Sequence, residues 1–235
     1  VVVLAELEIY HSRPIAPTRR VALGKRLLPI DPAPGVGGVL LAGIVARFAP
    51  ELESDLYAEL LVLIRQLEHG ARIPQPRLRH RFQADLVGLS HSHHRLVGEG
   101  DRPRFDFEAD RAAPAQQVLG AVYAAGELAP FARVQAMETI RRGLRWRGVV
   151  GPSFVTHVLG RTSGTDWGLA TVTDPVAWAR DLLGIAPSED LGRAVVQRRF
   201  RELLRDAHPD AGGDRGAAAR RIAELTEARR ILLAS

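Results

Sequence analysis

Cysteine is absent from all 235 residues, and that absence removes disulfides, thiolate metal sites and cysteine nucleophiles at once. It fits a reducing compartment. Lysine is nearly absent too: of 32 basic side chains, only Lys25 is not an arginine. With the alanine and glycine load this points to a high-GC bacterial genome, an inference about codons and not about function. Long apolar runs are also missing. The longest uncharged one, Val36 to Ala46, stops well short of the roughly 20 residues that a membrane helix needs, so it reads as a buried helix and no membrane association is expected. The opening Val1-Val2-Val3-Leu4-Ala5 meets Glu6 and Glu8 at once, without a charged leader or a cleavage site. A cytoplasmic location is the expectation. Val1 is not a methionine, which leaves a truncated or alternative start open.

What is present fits a globular protein with chain enough for one or two cores: 46% of residues are hydrophobic and 25% charged. Alternation from Val2 to Tyr10 around Glu6 and Glu8 marks a half-buried strand. Arg20 to Leu28, with apolar runs on both sides of Gly24-Lys25, reads as a hairpin. A Pro/Gly loop then leads into the apolar run, and Glu51 to Leu67 has helical periodicity. His80 to Glu108 reads as a second β section, with Val87-Gly88-Leu89 and Arg95-Leu96-Val97 before a Gly98-Glu99-Gly100-Asp101 turn and Phe105 to Glu108 as the returning strand. Helices are expected over Pro114–Leu128, Pro130 to about Arg145 and Pro152–Leu159, each opened by a proline suited to the first turn. Residues 161–166 are small and polar. They place a domain junction near residue 172.

Beyond it the pattern is helical only. Asp174-Pro175 supplies a cap and a first-turn proline, Trp178, Leu182 and Leu183 share a face, and Gly184 ends the helix. A longer helix from about Glu189 to Ala207 places Val196, Phe200, Leu203, Leu204 and Ala207 toward a core. Arg198, Arg201 and Arg205 recur at offsets of three and seven, which makes a linear cationic stripe on its outer face. Pro209 then stops the helix at His208, because it has no amide proton and disfavours helical backbone before it. After Gly212-Gly213-Asp214, with Asp214 a candidate cap, a last helix from about Arg215 to Leu233 presents Ile222, Leu225, Ala228 and Leu232. The two helices should form an antiparallel hairpin with His208-Pro209-Asp210 at its tip.

These features in register resemble the J-domain of DnaJ-type co-chaperones over about Asp174 to Ser235. Leu183-Gly184-Ile185 resembles the end of the family's first helix, Phe200 to Arg205 before His208-Pro209-Asp210 resembles the approach to its loop, and Glu227 to Leu232 resembles its final helix. A lone His-Pro-Asp would arise by chance roughly a few times in a hundred chains of this length, so the in-register neighbours decide the matter. The resemblance implies a fold of two parts: an α+β domain over 1–172, and a small all-α J-domain over 173–235 built as a helical hairpin with a supporting helix. It implies a site for a partner, comprising His208, Pro209, Asp210, Arg198, Arg201 and Arg205, that docks on a DnaK-type heat-shock ATPase and stimulates ATP hydrolysis to trap a client polypeptide. The chain departs from the family pattern in packing positions: the helix-one tyrosine is missing, with Arg180 near its place and Trp178 close by. Ala207 and Arg229 also replace common aromatic residues. The part before residue 173 resembles the N-terminal regions of actinobacterial J-domain proteins, which implies no further activity.

Other features have plainer readings. Arg141-Arg142-Gly143-Leu144-Arg145-Trp146-Arg147 could bind phosphates or stack on a base, but a helix end also favours cations and buries its tryptophan. His80, His91, His93 and His94 invite a metal, but no acidic or cysteine ligand sits at a recognisable spacing, so a histidine-bearing surface strand is the expectation. His11, Ser12 and Asp31 lack a nucleophile elbow or a phosphate loop to position them. Arg72 to Arg81, with Pro74 and Pro76, reads as an extended basic connector of open role. No catalytic residues, metal or cofactor are therefore expected, and the chain is not expected to be an enzyme. The alternatives to a co-chaperone are an interaction protein whose degenerate J-like module merely docks, and an N-terminal enzyme or nucleic-acid binder with an appended J-domain; nucleic acid is not an expected partner.

Overall fold

The computed structural model describes residues 2–13, 19–30, 33–99, 102–109, 111–159, 174–207 and 215–234. Period-two alternation makes β1 (Val2–His11) the centre of a sheet: Leu7, Ile9 and His11 are buried on one face, while Glu8 and Tyr10 on the other are half-buried. β2 (Arg20–Leu27) and β4 (Ser90–Glu99) flank it antiparallel, β5 (Arg102–Phe107) pairs with β4, and the short β3 (Arg81–Phe82) lies parallel to β2 at the edge. The order is β3-β2-β1-β4-β5. In the β1–β4 pair the register slips between Val3 and Ala5, a bulge at Leu4.

The hairpin expected within Arg20–Leu28 does not form. β2 runs straight through Gly24, and the hairpin is the β1–β2 pair itself. Gly24 serves a close approach instead of a turn: a Cβ there would lie 2.4 Å from Cε2 of Tyr10. Val87-Gly88-Leu89 is likewise a turn, held by the Asp85 carboxylate accepting from the Val87 amide at 3.0 Å and by Leu89 N–H donating to Leu86, so β4 starts at Ser90.

α1 (Gly35–Phe48) is buried at every residue but Arg47 because it is apolar all round, and it packs against β1 and β4. Leu40, Leu41 and Ile44 are fully buried there, each contributing about 1.5–3 kcal/mol of burial free energy. α2 (Ser54–Glu68) packs on α3 (Pro114–Gly126) and α4 (Pro130–Leu144), and these two pack on α1 together with α5 (Pro152–Leu159). α2 is amphipathic and buries Leu56, Leu60, Leu63, Ile64 and Leu67.

The C-terminal helices are α6 (Pro175–Leu182), α7 (Arg193–Asp206) and α8 (Arg215–Ala234), giving eight α-helices among the described residues. Asp174 caps α6, its carboxylate accepting from the Ala177 amide at 2.9 Å. α7 begins at Arg193 and not at Glu189, because Arg180 reaches across and donates to the carbonyls of Ala186 (2.6 Å) and Glu189 (3.0 Å), holding that stretch as a turn. One hydrophobic cluster joins Leu7, Leu40 and Val122 to Ala179, Leu183, Leu225 and Ile231. Pro175 sits against Gly98 of β4, where a Cβ would come within 2.7 Å of the proline ring. The architecture is mixed α+β. The expected junction near residue 172 and the polar stretch 161–166 fall outside the described residues. Among the described residues no helix is long and apolar enough to cross a membrane.

Candidate functional site

Amphipathic periodicity dictates how α7 is held. Val196 and Phe200, four apart, are buried, and Leu203, Leu204 and Ala207 are partly buried against the same cluster. α8 packs on both α6 and α7 through Leu225, Ala228, Ile231 and Leu232, with Ile222 half-buried. Arg229 takes up the space beside Phe200: its guanidinium carbon lies 4.9 Å from the ring centroid, a cation–π contact.

This packing turns the remaining face of α7 outward. Arg198, Arg201 and Arg205 are exposed, and with Glu202 and Leu204 they line a shallow groove of about 430 Å³. Arg201 Nε donates to the Gln197 carbonyl at 3.2 Å and Arg205 Nε to the Arg201 carbonyl at 3.4 Å. None of the three pairs with a carboxylate among the described residues. Arg199, off the stripe, does pair with Glu202. His208, Pro209 and Asp210, and the Asp214 cap, lie outside the described residues.

The other cationic and histidine features are spent on the fold. Arg141 pairs with Glu68 across α2 and α4, Arg142 with Glu138 and the carbonyl of Val158, and Arg147 donates to the carbonyls of Leu144 and Trp146. Trp146 packs edge-on against Phe154, and its N–H donates to Val149 at 3.2 Å. The histidines diverge: His91 stacks on Tyr10, His93 lies 3.2 Å from Glu6, and His94 turns into the core. Burial pushes the Glu6 carboxyl up, but hydrogen bonds and charge from Lys25 and His93 outweigh it and leave the carboxyl below its usual range. No group of three or more metal-capable side chains occurs among the described residues.

Sequence reasoning missed a buried polar chain. His94 Nε2 lies 2.8 Å from Gln117 Oε1, Gln117 Nε2 donates to Ser92 Oγ at 3.0 Å, and Ser92 Oγ lies 3.2 Å from His11 Nε2. All four side chains are buried, and burial lowers the pKa of both imidazoles. The available signal was the Gln116-Gln117 pair at the start of an otherwise apolar helix. The sequence also concealed how α8 is fixed to the sheet: Arg230 donates to the carbonyls of Val3 (3.0 Å) and Leu4 (2.9 Å) at the β1 bulge.

Comparison with protein-family models, with characterised proteins and with solved structures finds no match for this chain.

Proposed function

We propose that the chain is a J-domain-type co-chaperone, which docks on a DnaK-type heat-shock ATPase in the cytoplasm and stimulates its ATP hydrolysis, while the part before residue 173 recruits a client polypeptide or a location. The observation that carries this reading is the exposed stripe Arg198, Arg201 and Arg205 on α7, which pairs with no carboxylate among the described residues and precedes His208-Pro209-Asp210 in the sequence. Arginines that pair with no carboxylate among the described residues can meet an acidic surface, and their planar forks suit carboxylates. The long α8 packs on α7 and on the short capped α6, in the helix order that the sequence resemblance implies. The chemistry belongs to the partner; this chain supplies no catalytic residue, cofactor or metal in this reading.

The test is steady-state ATP hydrolysis by the DnaK-type chaperone of the same organism. Wild-type protein should raise turnover and His208→Gln should not. Equal turnover with both proteins would remove the co-chaperone reading and leave a module that only docks, or a binder of another kind.

A further inference from the structure

β5 ends the sheet with a strand on one side only, because the order is β3-β2-β1-β4-β5. The opposite end is blunted, since β3 is two residues long. An edge strand keeps half of its amides and carbonyls out of the ladder, and the His93 amide identifies that half in β5. It donates to the Glu108 carboxylate at 3.1 Å, so His93 faces the β5 side of β4. Orientation alternates along a strand, and Arg95 and Val97 therefore face the same way. Their antiparallel partners Asp106 and Arg104 bond back to them. Pro103, Phe105 and Phe107 turn their backbone groups away from the sheet. The place of Pro103 agrees with this, because a proline takes no bond from an edge strand where its nitrogen faces outward. Among the described residues, Phe105 and Phe107 make no backbone hydrogen bond outside the strand pairing.

The side chains of β5 sort by face. Phe105 meets Phe154 of α5 edge-on and Phe107 meets Phe48 of α1 in the same way, yet both phenylalanines stay half-buried. Arg104 and Asp106 lie on the opposite face, Arg104 exposed and Asp106 2.5 Å from Arg95 of β4. That face carries a cation and, two residues on, an anion. Such a strand is complementary to itself when run antiparallel.

We propose that β5 pairs with β5 of a second copy of this chain across a two-fold axis, with Phe105 opposite Phe105. Each Phe105 amide donates to the other Phe105 carbonyl, and each Phe107 amide donates to the carbonyl of the other Pro103, four bonds in all. Pro103 serves only as an acceptor, so its missing proton leaves all four intact. Arg104 of each copy then stands directly opposite Asp106 of the other, because the axis repeats every contact. Charge selects this register. Sliding the strands by two residues either way sets Arg104 against Arg104 or Asp106 against Asp106, and a slide by one turns the outward amides away from their acceptors.

Sedimentation equilibrium of the full chain tests the pairing. Wild type should dimerise reversibly at about 10–100 µM. Arg104→Glu opposes carboxylates at both contacts and Asp106→Arg opposes guanidinium groups, so each should raise the dimer dissociation constant at least about tenfold. Mixed in equal amounts, the two variants should form a heterodimer within about threefold of the wild-type affinity, since every carboxylate then faces a guanidinium. Asp106→Arg also gives up the contact with Arg95, so amide hydrogen exchange of wild type supplies a measurement that needs no variant. The Phe105 and Phe107 amides should slow about two- to threefold between about 5 and 200 µM protein, while those of Arg104 and Asp106, already in the ladder, stay unchanged. A wild type that remains monomeric at about 200 µM overturns the proposal and leaves this edge to a strand of another protein. A dimer indifferent to Arg104→Glu, or one that forms without slowing the Phe105 and Phe107 amides, overturns it as well, because the copies then meet elsewhere. Two folded variants that stay apart on mixing overturn the register.

Discussion

Arg230 and Glu227 face each other one turn apart on α8 through two hydrogen bonds of 2.9 and 2.6 Å, and the same guanidinium holds the bulged start of β1. Glu227 is buried and hydrogen-bonded to Arg230. Arg230→Ala would leave a buried carboxylate unpaired and two strand carbonyls without donors. The expected cost is about 2–4 kcal/mol, somewhat under the range for fully buried pairs because Arg230 is partly exposed. Chemical denaturation reads this directly. Arg230→Ala combined with Glu227→Gln should recover part of the loss, and a single-variant cost below about 0.5 kcal/mol would show that the clasp is dispensable.

The contact of Gly24 with Tyr10 makes a second expectation. Gly24→Ala places a methyl group where the tyrosine ring lies, and overpacking of this kind costs about 1–3 kcal/mol. Tyr10→Ala in the same chain should relieve most of that clash, giving a favourable coupling in a double-mutant cycle. A neutral Gly24→Ala would mean that the ring moves freely aside.

Three buried histidines give the stability a pH dependence of known sign. Burial lowers the pKa of His11, His80 and His94 below the 6.5 of the free side chain. The unfolded chain therefore binds protons that the folded chain refuses. Their contribution is complete above pH 6.5 and drains away as the pH falls below it, until the lowered folded values are reached. With three groups the limiting slope is about 4 kcal/mol per pH unit. Denaturation midpoints measured between pH 8 and 5 should fall on the acid side only, and His94→Gln should flatten the fall. A flat profile would show that these rings take up protons without unfolding.

What could be read from the sequence was what local chemistry decides. Pro114, Pro130, Pro152 and Asp174-Pro175 marked helix starts to the residue, since caps and first-turn prolines act within one turn. The alternation of β1 and the burial of α1 were legible for the same reason. Gly24 was misread as a turn because its purpose lies across the strand in Tyr10, and a glycine alone does not say which neighbour needs the space. The histidines were read as a surface strand, but His94 and His80 are buried; nothing in the local pattern supplied Glu6 or Gln117 as partners of His93 and His94. The Arg230 contacts join residues more than two hundred positions apart, and nothing local announces them. For the partner site, the stripe and its exposure were legible. The contact of Arg229 with Phe200 was not, because it joins two helices and nothing in the local pattern of either announces it.

The exposed stripe offers the sharpest check on the proposed partner. Arg198, Arg201 and Arg205 touch little of their own chain, so Arg→Ala at any of them should change folding stability by no more than about 0.5 kcal/mol. Each should nonetheless lower the apparent affinity for the ATPase about two- to fivefold, the size of one exposed ion pair. The loss should appear mainly in the association rate, because charges at the rim of an interface steer encounter more than they hold a complex. Added salt should therefore weaken wild type more than the triple variant, and the two should converge where the Debye length shrinks to about 3 Å near 1 M. Stopped-flow association at several ionic strengths measures this. Parallel salt dependence in wild type and triple variant would show that the stripe is a solvated helix face, and would shift any docking role to other residues.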